Sequence, residues 1–255
     1  MRERRISFVI PARNEEALIG EVVEAILASV ARETGISRAE LRLHDTAFEV
    51  IVVDDGSEDA TAAIVGGFAH AGVTLVRCSG RSCAAARNVG AAASTGRVLC
   101  FVDADTIVPE NAVARILELH EEQERCLVLY RLVSREPGAR AWLWWSFWGL
   151  ARRLPLARAK SMPAFMSCDR AHFERYGPFR EAWLIAEEWP LTGAAYRYHP
   201  ERFLYDRTLT ARTSSRRMEL QPFGYARTFL KWVSVVLFPW ARTSLTDRIR
   251  HGTAS

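Results

Sequence analysis

The chain has 255 residues, 49% of them hydrophobic and 25% charged. That balance supplies ample core for one large domain or two small ones and excludes disordered, collagenous and other low-complexity classes. Its five cysteines contain no CxxC pair and leave an odd count, which excludes a disulfide framework or a thiolate zinc site and points to a reducing, cytoplasmic compartment.

The formal net charge of +4 hides an asymmetry. Residues 1–130 carry 13 Lys+Arg against 20 Asp+Glu, a net of −7, and residues 131–255 carry 21 against 10, a net of +11. Lys160 and Lys231 are the only lysines. A basic half suits an anionic lipid, a phosphorylated substrate or nucleic acid.

In chain order, "MRERRISFVI" passes from charge directly into a short strand, Ile6–Ile10, with no signal-peptide apolar region. Pro11 ends it, and an amphipathic helix is predicted from about Glu15 to Val30. The plan repeats: strand Phe48–Val53 ends in Asp54 and Asp55, Gly56 turns the chain, and Ser57 is placed to cap a helix. "VTLVRC" reads as a third strand, "SCAAARNVGAAAS" as a helix, "GRVLCFVDAD" as a fourth strand and "PENAVARILELHEEQ" as a helix with Pro109 in its first turn. Alternating helices and continuously apolar strands predict an α/β domain with a mainly parallel sheet.

Three loops then fall outside the carboxyl ends of strands, where open α/β sheets bind ligands. They are Pro11–Glu15, Asp54–Asp55 and Asp103–Asp105. The last is "FVDADT", two carboxylates one small residue apart at the tip of an apolar strand. Such repulsion is relieved by a hard divalent cation, Mg²⁺ or Mn²⁺, which takes oxygen ligands and completes its shell with substrate phosphate.

Beyond residue 130 the pattern loosens. "ARAWLWWSFWGLARRLP" places Trp142, Trp144, Trp145 and Trp148 within seven positions, followed by Arg152 and Arg153. Such a segment is either a fully buried helix or an interfacial one. The segment 223–240 has the same character, and its apolar run is too short for the ~20 residues that span a bilayer. No transmembrane helix is predicted, peripheral membrane contact through Trp142–Trp148 and 223–240 is an expectation, and "HGTAS" reads as a frayed end.

"VIPARNEE", "VIVVDDGSEDAT", "AAARNVGAAASTG" and "FVDADT", in this order and at these spacings, closely resemble the family 2 glycosyltransferases. These are nucleotide-sugar-dependent enzymes with the GT-A fold, a Rossmann-like α/β/α sandwich. The resemblance covers residues 5–120 strongly and continues more weakly over 167–197. It implies a GT-A domain over 1–220, with a nucleotide-sugar-binding half (1–130) and an acceptor-side half (131–220), then a C-terminal amphipathic extension (221–255). By position, Pro11, Ala12 and Glu15 would line the nucleoside pocket, and Asp55 with Asp54 would accept hydrogen bonds from the base. Asp103 would sit by the ribose and diphosphate with Ala104 beside it, and Asp105 would lead the metal ligation with Asp103. Arg87 either reaches toward the donor or is a structural arginine on a helix surface.

The family's Glu-Asp pair reads Glu187–Glu188 here. The resemblance implies that Glu188 is the catalytic base of an inverting transfer, with Glu187 as the alternative. The extra methylene of Glu188 shifts its carboxylate, and base geometry must fall within hydrogen-bond reach. In "TARTSSRRMELQ", Arg216 and Arg217 read as a solvated basic loop, with diphosphate contact as the alternative. The implied donor is a UDP-sugar, the acceptor is open and is lipid-linked or membrane-proximal by composition, and no nucleic-acid partner is expected. The implied site of action is the cytoplasm, at the inner face of the cell membrane. A degenerate GT-A-fold scaffold and a nucleotidyltransferase stay as alternatives. A dinucleotide oxidoreductase does not, because "PARNEE" stands where GxGxxG is required.

Overall fold

A computed structural model describes residues 4–79, 82–154, 163–183, 186–220 and 223–237. The first half alternates as expected: β1 (Ile6–Ala12), α1 (Ile19–Thr34), β2 (Phe48–Asp54), α2 (Thr61–Gly66), β3 (Thr74–Arg77), α3 (Cys83–Ala93) and β4 (Val98–Val102). The four strands pair in parallel in the order β3-β2-β1-β4. Pro11 does not end β1. It lies beyond Val9, the last residue of β1 paired with β4, so its missing N–H removes no bond to that strand. The predicted helix start at Glu15 moves to Ile19, because the Glu15 carbonyl is taken by the Leu18 and Ile19 amides in a turn.

The second half is β5 (Thr106–Ile107), α4 (Ala112–Leu117), β6 (Leu127–Ser134), α5 (Ala139–Ala151), β7 (Phe165–Asp169), α6 (Arg170–Tyr176), α7 (Trp189–Tyr198), β8 (Phe203–Thr213), α8 (Arg216–Glu219) and α9 (Gly224–Leu237). Among the described residues all eight strands form one sheet, β3-β2-β1-β4-β7-β6-β8-β5. Its second half is mixed: β7 runs antiparallel to both β4 and β6, β8 runs parallel to β6, and β5 runs antiparallel to β8.

Period-2 alternation along each strand divides the core between the two faces of the sheet. Phe8, Ile10, Val50 and Val52 pack with Val22, Ile26 and Ile116, from α1 and α4, on one face. Val9, Leu99, Phe101 and Leu129 pack with Ala84, Leu191 and Ala195, from α3 and α7, on the other. Each of these valine, leucine, isoleucine and phenylalanine side chains contributes roughly 1.5–3 kcal/mol by leaving water. Gly90 lets α3 press on the sheet, since a Cβ there would stand 2.3 Å from Val9 Cγ1 and 3.0 Å from Val53 Cγ2.

The tryptophan-rich segment forms α5, and α9 packs along it through Trp144–Tyr225 and Phe147–Phe229, with ring centroids 5.6 Å apart in each pair. No described helix is long and apolar enough to cross a membrane. Residues 238–240 and the end 251–255 lie outside the described residues.

Candidate active site

The carboxyl ends of β1, β2 and β4 open onto one cleft of about 460 Å³. Pro11, Ala12 and Glu15 line it from the first loop, Asp55 from the second, and Asp103, Ala104 and Asp105 from the third. The N-terminus of α3, capped where Ser82 Oγ accepts from the Ala85 amide, closes one side. Asn14, at φ 54°, ties the first two loops together. Its amide donates to Ser57 Oγ and its side-chain oxygen accepts from the Glu58 amide.

This crosslink displaces the predicted cap. Ser57 is held by Asn14 and by Asp54 Oδ1, which accepts from its amide, and α2 starts only at Thr61, where Asp59 accepts from the Thr61 amide. Asp54 therefore shapes the turn and is not among the residues lining the cleft, whereas buried Asp55 is, its Oδ1 accepting from Cys78 Sγ at 2.9 Å.

Asp105 is positioned by the far edge of the sheet. The pairing of β5 with β8 sets Thr106 opposite Thr213, and Thr213 Oγ1 lies 3.3 Å from Asp105 Oδ1. The Ser214 amide donates to the Asp105 carbonyl at 3.2 Å. Two residues on, Arg216 enters the cleft and donates to buried Glu15 Oε2 at 3.0 Å. Arg216 is thus only partly solvated and starts α8 rather than sitting in a loop; β8 returns to the strand tips and carries it there. The Arg217 side chain is outside the described set. Thr213 had no signal in the sequence, because its partner lies 108 positions away.

Arg87 is neither on a helix surface nor in the cleft. It is 2% exposed beneath the cleft floor, donating to Asp103 at 2.6 Å and to Glu187 at 2.7 Å. Burial opposes its charge, but Cys83, Asp103 and Glu187 face it and raise its pKa above the ordinary arginine value. Glu187 follows Ala186, whose φ of 65° is a strained left-handed conformation for a residue with a Cβ.

Glu188 is 0% exposed, and its carbonyl accepts the Leu191 and Thr192 amides at the start of α7. Buried Arg152 lies within reach of its charge. Burial pushes the Arg152 guanidinium down to about 10, while a hydrogen bond with Tyr205 and the Glu188 charge oppose that shift. The double arginine after the tryptophans was visible in the sequence; the burial of Arg152 within reach of the Glu188 charge, with Arg153 left exposed, was not.

Asp103 and Asp105 supply hard oxygens to the cleft, which fits Mg²⁺ or Mn²⁺. Among the described residues no three His, Cys, Asp or Glu side chains gather into a cation site. One oxygen of Asp103 is also committed to Arg87. A cation here would draw its remaining ligands from a diphosphate or water.

Residues 7–177 match the family model described as Glycosyl transferase family 2. The chain belongs to that family. A family relative, the succinoglycan biosynthesis protein ExoO of Rhizobium meliloti, is 32% identical over 114 residues, 44% of this chain and 29% of its own length. The undecaprenyl-phosphate 4-deoxy-4-formamido-L-arabinose transferase of Sodalis glossinidius is 29% identical over 47% of this chain and 34% of its own. The match spans only 22–34% of the length of these and the other curated relatives. Among solved structures, the Pyrobaculum calidifontis mannosyltransferase PcManGT, in complex with GDP-Man and Mn²⁺, superposes with a TM-score of 0.63 at 19% identity, covering 100% of this chain and 77% of that one. That likeness shows the shared GT-A fold.

Proposed function

We propose that this family 2 chain is an inverting glycosyltransferase that moves a sugar from a nucleoside-diphosphate donor, with a UDP-sugar favoured by its motifs, to an acceptor hydroxyl. The observation that carries the reading is the convergence of Asp55, Asp103 and Asp105 on one cleft whose floor is tied to Glu187 through Arg87. Residues 1–130 form the donor half, 131–220 the acceptor side and 221–255 an extension. Pro11, Ala12, Glu15 and Asp55 hold the nucleoside, and Arg216 meets the diphosphate.

Asp105, with Asp103, would hold Mg²⁺ or Mn²⁺, which when bound neutralises the charge of the departing diphosphate. Glu188 takes the proton of the acceptor hydroxyl as its oxygen bonds to the anomeric carbon. The bond from that carbon to the donor phosphate oxygen breaks on the opposite side, and the electron pair leaves with the nucleoside diphosphate. Because Glu188 is fully buried, the acceptor must displace the side chains that cover it. Glu187 serves as counter-ion to Arg87 and keeps the segment before α7 on the donor floor.

The acceptor is read as lipid-linked, with the protein peripheral at the cytoplasmic face of the membrane. The exposed aromatic and aliphatic residues of α5 and α9 support this reading. So does the name of the Sodalis relative, whose substrate is an undecaprenyl phosphate.

Thermal unfolding with UDP, GDP, dTDP and CDP, each with and without Mn²⁺, tests the donor site. A metal-dependent shift with one nucleotide supports the reading and names the base. No shift with any of them favours a degenerate scaffold, the reading that the burial of Glu188 also favours. Donor hydrolysis that depends on Glu188 would exclude that scaffold.

A further inference from the structure

A second cavity, of about 540 Å³, lies between α5 and the β6–β8 pair. It opens past the carboxyl end of β6, the same edge of the sheet as the donor cleft, because β6 runs parallel to β4 through the intervening β7. Arg131, Arg153 and Arg207 line it. None of the three makes an ion pair or side-chain hydrogen bond among the described residues. The carboxylate of Glu136 also lines the cavity, but it is already engaged by the Ser134 and Ser214 hydroxyls and the Ser215 amide. All three are exposed, so water and salt screen their mutual repulsion, but they bring three cations to one cavity, and their forked donors match phosphate oxygens.

The remaining wall is apolar. Trp142, 67% exposed, and Trp145 face the cavity from α5. Beside them Leu143, Phe147, Leu150 and Leu154 are all exposed. Spacings of four and three place Leu143, Phe147 and Leu150 in one row along α5, and Leu154 follows just beyond its end. A soluble anion would fill the arginine cavity and leave this row in water. A phosphate carried on a lipid satisfies both, with the headgroup among the arginines and the row in the apolar layer.

Tyr205 lines the cavity and hydrogen-bonds buried Arg152, whose charge is favoured by that of Glu188.

We infer that this cavity is the headgroup site for the phosphate of a membrane lipid, presented at the acceptor side of the enzyme. The inference rests on the transferase reading only for the reaction of a lipid already bound; binding itself is measurable without transfer.

The full chain is sedimented with phosphatidylcholine vesicles, with and without phosphatidic acid. Binding is expected only with phosphatidic acid. Replacing Arg131, Arg153 and Arg207 together by Gln should weaken it on the order of a hundredfold, about fivefold per arginine. A control removes the same charge at exposed Arg77, Arg175 and Arg197, and it should bind within about twofold of wild type. Leu143→Ser should weaken binding to the same vesicles while leaving the arginine cavity intact. A cooperative thermal unfolding transition of the unliganded triple variant, at a midpoint close to that of wild type, shows that it folds.

Four outcomes overturn the inference: no vesicle binding by wild type, equal binding to phosphatidylcholine alone, undiminished binding by the triple variant, or an equal loss in the control. Stabilisation by inorganic phosphate through these arginines without vesicle binding would assign the cavity to a free anion instead and also overturn it. Vesicle binding that needs the three arginines, with no nucleotide shift in wild type, would leave this site standing and remove the transferase reading.

Discussion

Arg87 donates to Glu187 across 100 positions of sequence, at 2.7 Å, from a guanidinium almost wholly removed from water. Its other terminal nitrogen holds Asp103, so a single side chain joins the donor floor to the segment that carries the proposed base.

Arg87→Met should leave two carboxylates facing a buried apolar group and cost about 3–5 kcal/mol of stability by urea unfolding. Arg87→Lys keeps the charge but cannot fork to both carboxylates, and should recover less than half of the loss. Full stability in Arg87→Met would show that this link does not hold the two segments together.

Glu188→Gln should lower the transfer rate by about 10²–10⁴-fold while leaving nucleotide affinity unchanged. Glu187→Gln should act mainly through Arg87, lowering stability along with activity. A larger rate loss in Glu187→Gln at unchanged stability would exchange the two roles.

Asp105→Asn should abolish the Mn²⁺-dependent part of the nucleotide thermal shift, and a chelator should do the same to wild type. Thr213→Val removes one hydrogen bond to Asp105, worth about 0.5–1.5 kcal/mol, and should weaken the Mn²⁺ dependence by about two- to tenfold. An unaltered metal response in Asp105→Asn would place the cation elsewhere.

Asp206 is buried against Arg115, at 3.1 and 3.3 Å, and against Thr208. Burial alone would raise its pKa, but the hydrogen bonds from Arg115 and Thr208 hold it below the ordinary carboxylate value. A depressed folded pKa adds stability that is present above the unfolded value of about 3.9 and is lost as pH falls through the folded one. Asp206→Asn should therefore be less stable than wild type by about 1.5–3 kcal/mol at neutral pH, with the gap closing as pH falls past the unfolded value and through the folded one. A gap that does not change with pH would show that packing, not charge, holds this site.

The sequence by itself determined the alternating first half, because strand and helix periodicity are local properties that survive without a partner. It also placed Asp55, Asp103 and Asp105 at strand tips, and a parallel sheet brings such tips to one edge. The tertiary structure decided the rest. The antiparallel insertion of β7 between β4 and β6 carries no local signature, since an apolar strand reads the same in either direction. Asp54 and Asp55 are neighbours with equal charge, yet loop crosslinks turn one into the backbone and leave the other in the cleft. Arg216 reaches Glu15 because β8 returns to the strand tips, 201 residues after Glu15. A charged side chain chooses its partner from what long-range packing sets within a few ångströms of it, and no window of sequence contains that information.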